Sequence, residues 1–349
     1  MMTVENAEFS EARLAATAVA ISGDSGALYD MVSGLMGGGA PLVWILFDFL
    51  APAERDIGAR WQSGDYLISE EHTATATVET VVALLAGSFD RPRDGVHVVV
   101  AAAEGDEHSL PARMMAAYLL YLGFRATFLG GNVLASDLRE FLESGLPDVV
   151  VLSCAMTNQL VGARATIRAS HAAGVPVIVG GRAFGENGEW AVVVGADAWA
   201  HHPRDLPEVL DSWRPDIEAA EAAAEDPSDE LVDLMDRRAA VTADTQRQLA
   251  AVRADSTDPR LTAEISLLLR AVEASMLIGD DRVIVDMSGG RRRLSRPTAT
   301  TMAASSPMRS MSSYQRSLLP RSRPFPAPSA QPDDEVEAHD RLGAALPIS

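Results

Sequence analysis

Asp106 and His108 stand two residues apart in the stretch Glu104-Gly105-Asp106-Glu107-His108-Ser109-Leu110-Pro111. A neutral imidazole is a common metal ligand, and its other ring nitrogen usually needs a carboxylate or carbonyl partner. Asp106 can be that partner, or it can cap the helix that follows. His108 taken by itself reads as a solvated loop residue. Ser153 ends one Val-rich run and Gly180-Gly181 ends another, which adds a hydroxyl and a gap free of side chains. A second group lies upstream, with Trp61 followed by Glu70-Glu71-His72. Singly, a Trp on a helix face is a core anchor, and acids in a first helical turn are favoured by the macrodipole. Cys154 is the one cysteine in the chain, which excludes an internal disulfide and a Cys-based zinc site. It reads as a small buried hydrophobe.

Two kinds of element must position these residues. Over 1–90, apolar-periodic segments at 10–20, 25–36, 41–61 and 70–85 alternate with turn signals such as Ser22-Gly23-Asp24 and Ser63-Gly64-Asp65. Pro41 sits just inside the third segment, and Ser69 reads as the N-cap of the fourth. Short connections between four helices predict an antiparallel four-helix bundle. Arg91-Pro92-Arg93-Asp94-Gly95 reads as a linker. From His97 the period changes. Runs at 97–103, 148–153 and 176–180 are nearly continuous and rich in Val, as strands buried on both faces are. Further strands are expected at 126–129 and 196–199, with helices at 110–122, 135–143 and 157–173. This alternation predicts an α/β fold, a flavodoxin-like (Rossmann-like) doubly wound parallel sheet of five strands over 95–214. Ligands of such sheets sit beyond the C-terminal strand ends. His108, Ser153 and Gly180-Gly181 all follow such ends, so they should converge on one rim. An Ala-rich acidic connector (215–228) leads to a helical extension at 229–287. Residues 288–349 hold 8 of the 19 prolines and little periodicity, and are expected to be disordered.

Acidic residues outnumber basic ones 49 to 29, for a formal net charge of −20, and every basic residue is Arg. Such a balance argues against direct binding to nucleic acid or anionic membranes. No apolar run approaches the ~20 residues of a membrane span. A soluble, cytoplasmic protein is expected. The His201-His202 pair reads as surface loop, and Gly180-Gly181-Arg182-Ala183-Phe184-Gly185 lacks the spacing of a dinucleotide fingerprint.

The order of motifs resembles the cobalamin-binding domain shared by methionine synthase, corrinoid methyl carriers and adenosylcobalamin mutases. That family reads D-x-H-x-x-G, then S-x-L, then G-G. Here the matches are Asp106-Glu107-His108-Ser109-Leu110-Pro111, Ser153-Cys154-Ala155 and Gly180-Gly181, with Pro111 and Ala155 as departures. The resemblance implies that His108 is the lower axial ligand of cobalt and that Asp106 orients it. Ser153, Gly180 and Gly181 would line the slot for the displaced dimethylbenzimidazole tail. The bundle sequence Ile57-Gly58-Ala59-Arg60-Trp61-Gln62-Ser63-Gly64-Asp65, with Ser69-Glu70-Glu71-His72, resembles the cap of CarH-type light-sensing regulators. There Trp61 and Glu71 would hold the adenosyl group, with His72 nearby. Gln62 stands where several such photoreceptors carry a His. The chain begins almost at the bundle, so the MerR-type DNA-binding domain of those regulators is expected to be missing. The reading is a regulatory module that binds adenosylcobalamin and signals through residues 229–287 or a protein partner, without catalytic turnover. A corrinoid methyl carrier, binding methylcobalamin and serving methyltransferases, is the alternative.

Overall fold

The computed structural model describes residues 2–89, 95–145, 147–212, 215–224, 226–252 and 259–284. The expected tail at 288–349 and most of the expected linker lie outside these residues. The first half of the bundle is α1 (Met2–Ser22) and α2 (Ser25–Gly37). Asp24 opens α2 by accepting the Ala27 N–H at 2.9 Å. The third helix runs from α3 (Leu42–Trp44) through a π-helical turn (Ile45–Leu50) into α4 (Ala51–Ser63). The periodicity predicts an uninterrupted helix there. Pro52 accounts for the difference: it has no N–H to give, and its ring would crowd the Asp48 carbonyl in a regular α turn. Widening the turn, so that the Ala51 N–H reaches back to Leu46 O, relieves that conflict.

Gly64 ends α4 in the left-handed region (φ 83°), with its N–H bonded to Trp61 O at 3.0 Å. The last bundle helix is α5 (Ile68–Ser88). It starts earlier than expected: Leu67 is the N-cap, and Glu70 reaches back to accept its N–H at 2.7 Å. Ser69 therefore lies inside the first turn, and Glu70 has a structural task as a capping carboxylate. Ala74, Val78, Val81, Val82 and Leu85 of α5 pack with Leu28, Val32, Leu46, Phe49 and Ile57 in one buried cluster. Each fully buried large side chain there contributes ~1.5–3 kcal/mol.

The sheet follows. Strands β1 (His97–Ala102), β2 (Arg125–Gly130), β3 (Val149–Ser153), β4 (Val177–Gly180) and β5 (Ala198–Ala200) are all parallel, in the order β2-β1-β3-β4-β5. This is the expected doubly wound sheet, with its switch point between β1 and β3. Val98, Val100, Val149, Val151 and Ile178 face one side, with α6 (Ser109–Tyr121) and α10 (Leu206–Ser212). Val99, Ala101, Val150, Leu152, Val177 and Val179 face the other, with α7 (Ala135–Gly145), α8 (Leu160–Ala172) and α9 (Glu189–Val193). Burial on both faces is why these strands read as unbroken apolar runs.

The bundle is seated on α6. Leu110, Met114, Ala117 and Tyr118 of that helix belong to the bundle's own core cluster. Arg204 and His202, beyond β5, face Asp48 in the π turn, and His202 Nε2 lies 4.0 Å from its carboxylate. The connector carries α11 (Ile217–Ala223), whose Glu221 lies 3.5 Å from His171 of α8. The extension is a pair of helices, α12 (Asp229–Val252) and α13 (Pro259–Ile278). Arg238 meets Glu273 and Gln246 meets Thr262, which makes the pair antiparallel. Leu231, Ala271, Ala274, Leu277 and Ile278 are buried in the sheet's core. Among the described residues no helix is long and apolar enough to cross a membrane.

Candidate functional site

The loop from β1 to α6 carries the Asp106/His108 pair, and every part of it is tied down. The Glu104 N–H donates to Thr166 Oγ1 (3.1 Å), and Glu104 itself caps α7 by accepting the Ala135 N–H at 3.0 Å. The Gly105 N–H donates to Asn132 Oδ1 at 2.8 Å. The Asn132 N–H returns a bond to Asp106 O at 2.8 Å, and its side-chain amide donates to Glu107 at 2.9 Å. Asn132 adopts φ 50°, a conformation that non-glycine residues seldom take. A Cβ on Gly162 would lie 1.9 Å from Glu104 O, so only glycine lets α8 come this close.

Asp106 is 1% exposed, and both its oxygens are engaged. Oδ1 accepts from the His108 N–H (3.0 Å) and lies 2.7 Å from His108 Nδ1, while Oδ2 accepts the Ala155 N–H at 2.6 Å. Asp106 thus joins the end of β1 to the loop after β3. The alternatives left open by the sequence resolve into both at once: Asp106 holds the backbone amide at the start of α6 and also the imidazole. A carboxylate at Nδ1 fixes the proton there and leaves the Nε2 lone pair free. The His108 side chain is 58% exposed, so that lone pair is accessible. The hydrogen bond from Asp106 raises the His108 pKa above its ordinary value, opposed by burial. The charges of Asp106 and Glu71 raise it further, and Arg182 lowers it.

Beside the loop, Ala102, Ser153, Gly180 and Ala200 stand in register across β1, β3, β4 and β5. One layer below, Val100, Val151, Ile178 and Ala198 fill the same face. Small residues thus stand at the C-terminal strand ends, where a Cβ on Gly180 would meet nothing nearer than Ala200 O at 3.7 Å. Gly181 lies at φ 110°, and a Cβ there would stand 2.2 Å from Cys154 O. Cys154 is fully buried, and desolvation pushes its thiol pKa up, as befits an unreactive packing residue.

The bundle faces this rim with carboxylates. Glu79 of α5 accepts a short hydrogen bond from Ser109 Oγ, at the first residue of α6. Glu54 of α4 accepts from Thr75 Oγ1 at 2.9 Å through one oxygen, and its other oxygen is buried without a partner. Burial is the main reason its pKa rises to about 7; the charges of Glu71 and Glu79 add to it, and the Thr75 bond opposes. Glu71 lies near enough to His108 to affect its titration and also holds His72 Nδ1 at 2.6 Å. Trp61 ends α4 with 37% of its surface exposed. His72 lines a shallow groove of about 440 Å³ with Gly23, Ser25 and Thr73, on a neighbouring flank of α5.

The structure therefore brings together Asp106, His108, Ser153, Gly180 and Gly181 as expected, with Glu71 near them from above. Trp61 and His72 stand at the margin. Sequence reasoning does not single out Glu54, Glu79, Asn132 or Arg182. A polar residue at every fourth position of α5 (Glu71, Thr75, Glu79) is the visible signal for a polar underside.

A parallel sheet with a His and an Asp at its switch point, under a helical bundle, defines a small-molecule-binding α/β module. Family models sharpen this. A B12-binding domain model matches residues 96–206, and a second B12-binding domain model matches residues 15–86. The chain belongs to the cobalamin-binding family. It is 35% identical over 141 residues to the HTH-type transcriptional repressor CarH of Myxococcus xanthus. That match covers 39% of this chain and 46% of the relative's length. Among solved structures it is similar to the monomethylamine corrinoid protein of Methanosarcina barkeri (18% identity, TM-score 0.47, 56% of this chain and 94% of that one). It is also similar to a cobalamin-binding protein of Desulfitobacterium hafniense (24% identity, TM-score 0.32, 57% of this chain and 97% of that one).

Cobalamin fits the residues present. In the neutral imidazole of His108, Asp106 holds Nδ1 and Nε2 is left to ligate a metal, and the small residues Ser153, Gly180 and Gly181 stand at the neighbouring strand ends.

Proposed function

We propose that this chain is a regulatory module that holds adenosylcobalamin between the bundle and the strand ends, with His108 as the lower axial ligand of cobalt. The observation that carries the reading is the Asp106–His108 contact, 2.7 Å at Nδ1 on a side chain 58% exposed; in the neutral imidazole it holds the proton at Nδ1 and leaves the lone pair on Nε2. Asp106 orients the ring and, through the Ala155 N–H, keeps the β1 and β3 ends together. Ser153, Gly180 and Gly181 make room for the nucleotide tail that His108 displaces. Bound cobalamin supplies a cobalt–carbon bond that light can break.

Glu71 accepts hydrogen bonds from the adenosyl hydroxyls, Trp61 covers the upper face, and His72 supports Glu71. Support for these upper-face roles comes from the charge of Glu71, which is felt at His108, and from the match of residues 15–86 to a B12-binding model. Gln62 offers an amide, which would be a poor ligand for oxidised cobalt. The chain acts in the cytoplasm and signals to a protein partner or a second copy; its net charge of −20 does not suit a nucleic acid.

The test is binding in the dark. Adenosylcobalamin should bind more tightly than methylcobalamin, and illumination should change both the visible spectrum and the hydrodynamic radius. Equal affinities with no hydrodynamic change would contradict the regulatory reading and favour a methyl carrier.

A further inference from the structure

Of the two helices that follow the cobalamin-binding region, α13 packs against the Thr157–Gln159 turn and reaches the Gly105 loop with the Arg270 side chain. Arg270 of α13 donates from Nη1 to Gly105 O (3.3 Å) and to Gln159 Oε1 (3.0 Å). Gly105 immediately precedes Asp106. Gln159 ends the short 3-10 turn Thr157–Gln159, which follows the Ser153 strand end and the Ala155 amide that Asp106 holds. A single guanidinium thus spans both loops that carry the site. The approach is close: Gly105 lies at φ 82°, and a Cβ there would stand 2.7 Å from both Arg270 Nη1 and Gln159 Oε1.

The helix that carries Arg270 is itself firmly held. Ala271, Ala274, Leu277 and Ile278 are buried in the sheet's core. Glu273, 0% exposed, takes both prongs of the Arg238 guanidinium from α12, with Nε at 2.7 Å. Removing Arg238 would leave the buried Glu273 carboxylate uncompensated, so this pair ties α12 to α13. Most of α12 beyond Leu231 is open to solvent, free to meet another molecule.

We infer that Arg270 is a positioning residue that couples the α12–α13 hairpin to the cobalamin loop, so that the hairpin reads the state of the site. The ligand side of this coupling rests on the cobalamin reading above. A shift of Gly105 as His108 engages cobalt must stretch the Arg270 bond or carry α13 with it. Linkage makes the effect reciprocal: if Arg270 favours the binding-competent loop, bound cobalamin must favour the docked hairpin by the same factor.

Hydrogen exchange on the full chain, with and without cobalamin, tests this. In cobalamin-free protein, Arg270→Ala should speed exchange of the 104–109 amides about tenfold, the size expected for losing one charge-assisted bond. In the wild type, cobalamin should slow exchange across 259–278, and Arg270→Ala should abolish that protection. Cobalamin should leave the variant about tenfold faster, with the bound spectrum still His-ligated. Arg270→Lys, which can reach one acceptor at a time, should restore part of each effect. Should Arg270→Ala undock the hairpin, Gln159→Ala leaves the helix anchors intact and should give a smaller change of the same sign. A folded Arg270→Ala protein with unchanged loop exchange and dissociation within about twofold of wild type would overturn the coupling. Failure of the wild type to bind cobalamin would sink the functional reading, while the ligand-free exchange would still decide whether Arg270 restrains the loop.

Discussion

Asp106 uses both carboxylate oxygens on partners fixed within 3.0 Å, in a loop restrained by Thr166, Asn132 and Arg270. Across the site, on the bundle, Trp61 projects from the last turn of α4 and the His72 side chain is 74% exposed. On the proposed reading, the lower half of the site is built in advance and the upper half is ordered by what it binds. A pre-organised ligand loses little freedom on binding, whereas exposed groups ordered only by the ligand are suited to report its presence. Substitutions below should therefore remove binding, and substitutions above should change which cobalamin is preferred.

The largest effect is expected from His108→Ala. Tight binding should fall at least about a hundredfold, or the residual complex should show the spectrum of cobalamin bound through its own base; titration followed by visible absorption measures both. Asp106→Asn comes next. An amide can no longer accept from His108 and Ala155 as a carboxylate does, and a weakening of about 10–100-fold is expected. A variant that binds as the wild type does would break the claim that the lower half is pre-organised.

Glu54 gives a prediction about the bundle alone. Its pKa is about 7 in the folded protein, against 4.5 for an ordinary glutamate. The folded state binds this proton more tightly, so the stability contributed is complete below pH 4.5 and lost as pH rises through about 7. Glu54→Gln removes the cost of the buried charge. Cobalamin-free Glu54→Gln should gain at most ~3 kcal/mol above pH 7 and nothing near pH 4, as read by denaturant melts across that range. A gain independent of pH would mean that Glu54 is not held protonated.

The smallest effect on folding belongs to Trp61→Ala. Because the ring is partly exposed in the cobalamin-free protein, stability should change by less than ~1 kcal/mol. The preference for adenosylcobalamin over methylcobalamin should nonetheless disappear in competition experiments. A large loss of stability would instead assign Trp61 to the bundle core.

The same contrast explains what the amino-acid sequence makes legible. Val-rich runs ended by Ser153 and Gly180-Gly181 state the parallel sheet plainly, because burial on both faces leaves no room for polar residues. Asp106 and His108 are legible because their spacing lets one side chain meet the other. The π turn at Ile45–Leu50 is not, since apolar spacing fits both helical registers there and only Pro52 signals the conflict. Asn132 and Arg270 are illegible for another reason. Each acts on a backbone atom of Gly105 from far along the chain, and nothing in local sequence marks a partner across 27 or 165 residues. Glu71 is readable as a helix-start acid, and only the fold brings its charge to bear on His108.

Electron paramagnetic resonance of cob(II)alamin bound to the protein, prepared with nitrogen-15 histidine, shows whether His108 ligates cobalt. The axial nitrogen couples to the unpaired electron of cobalt, and the isotope changes that splitting from a triplet to a doublet. The doublet is expected in the wild type, and its loss in His108→Ala. A triplet that persists in the labelled wild-type protein would mean that cobalamin keeps its own base and that His108 does not ligate cobalt.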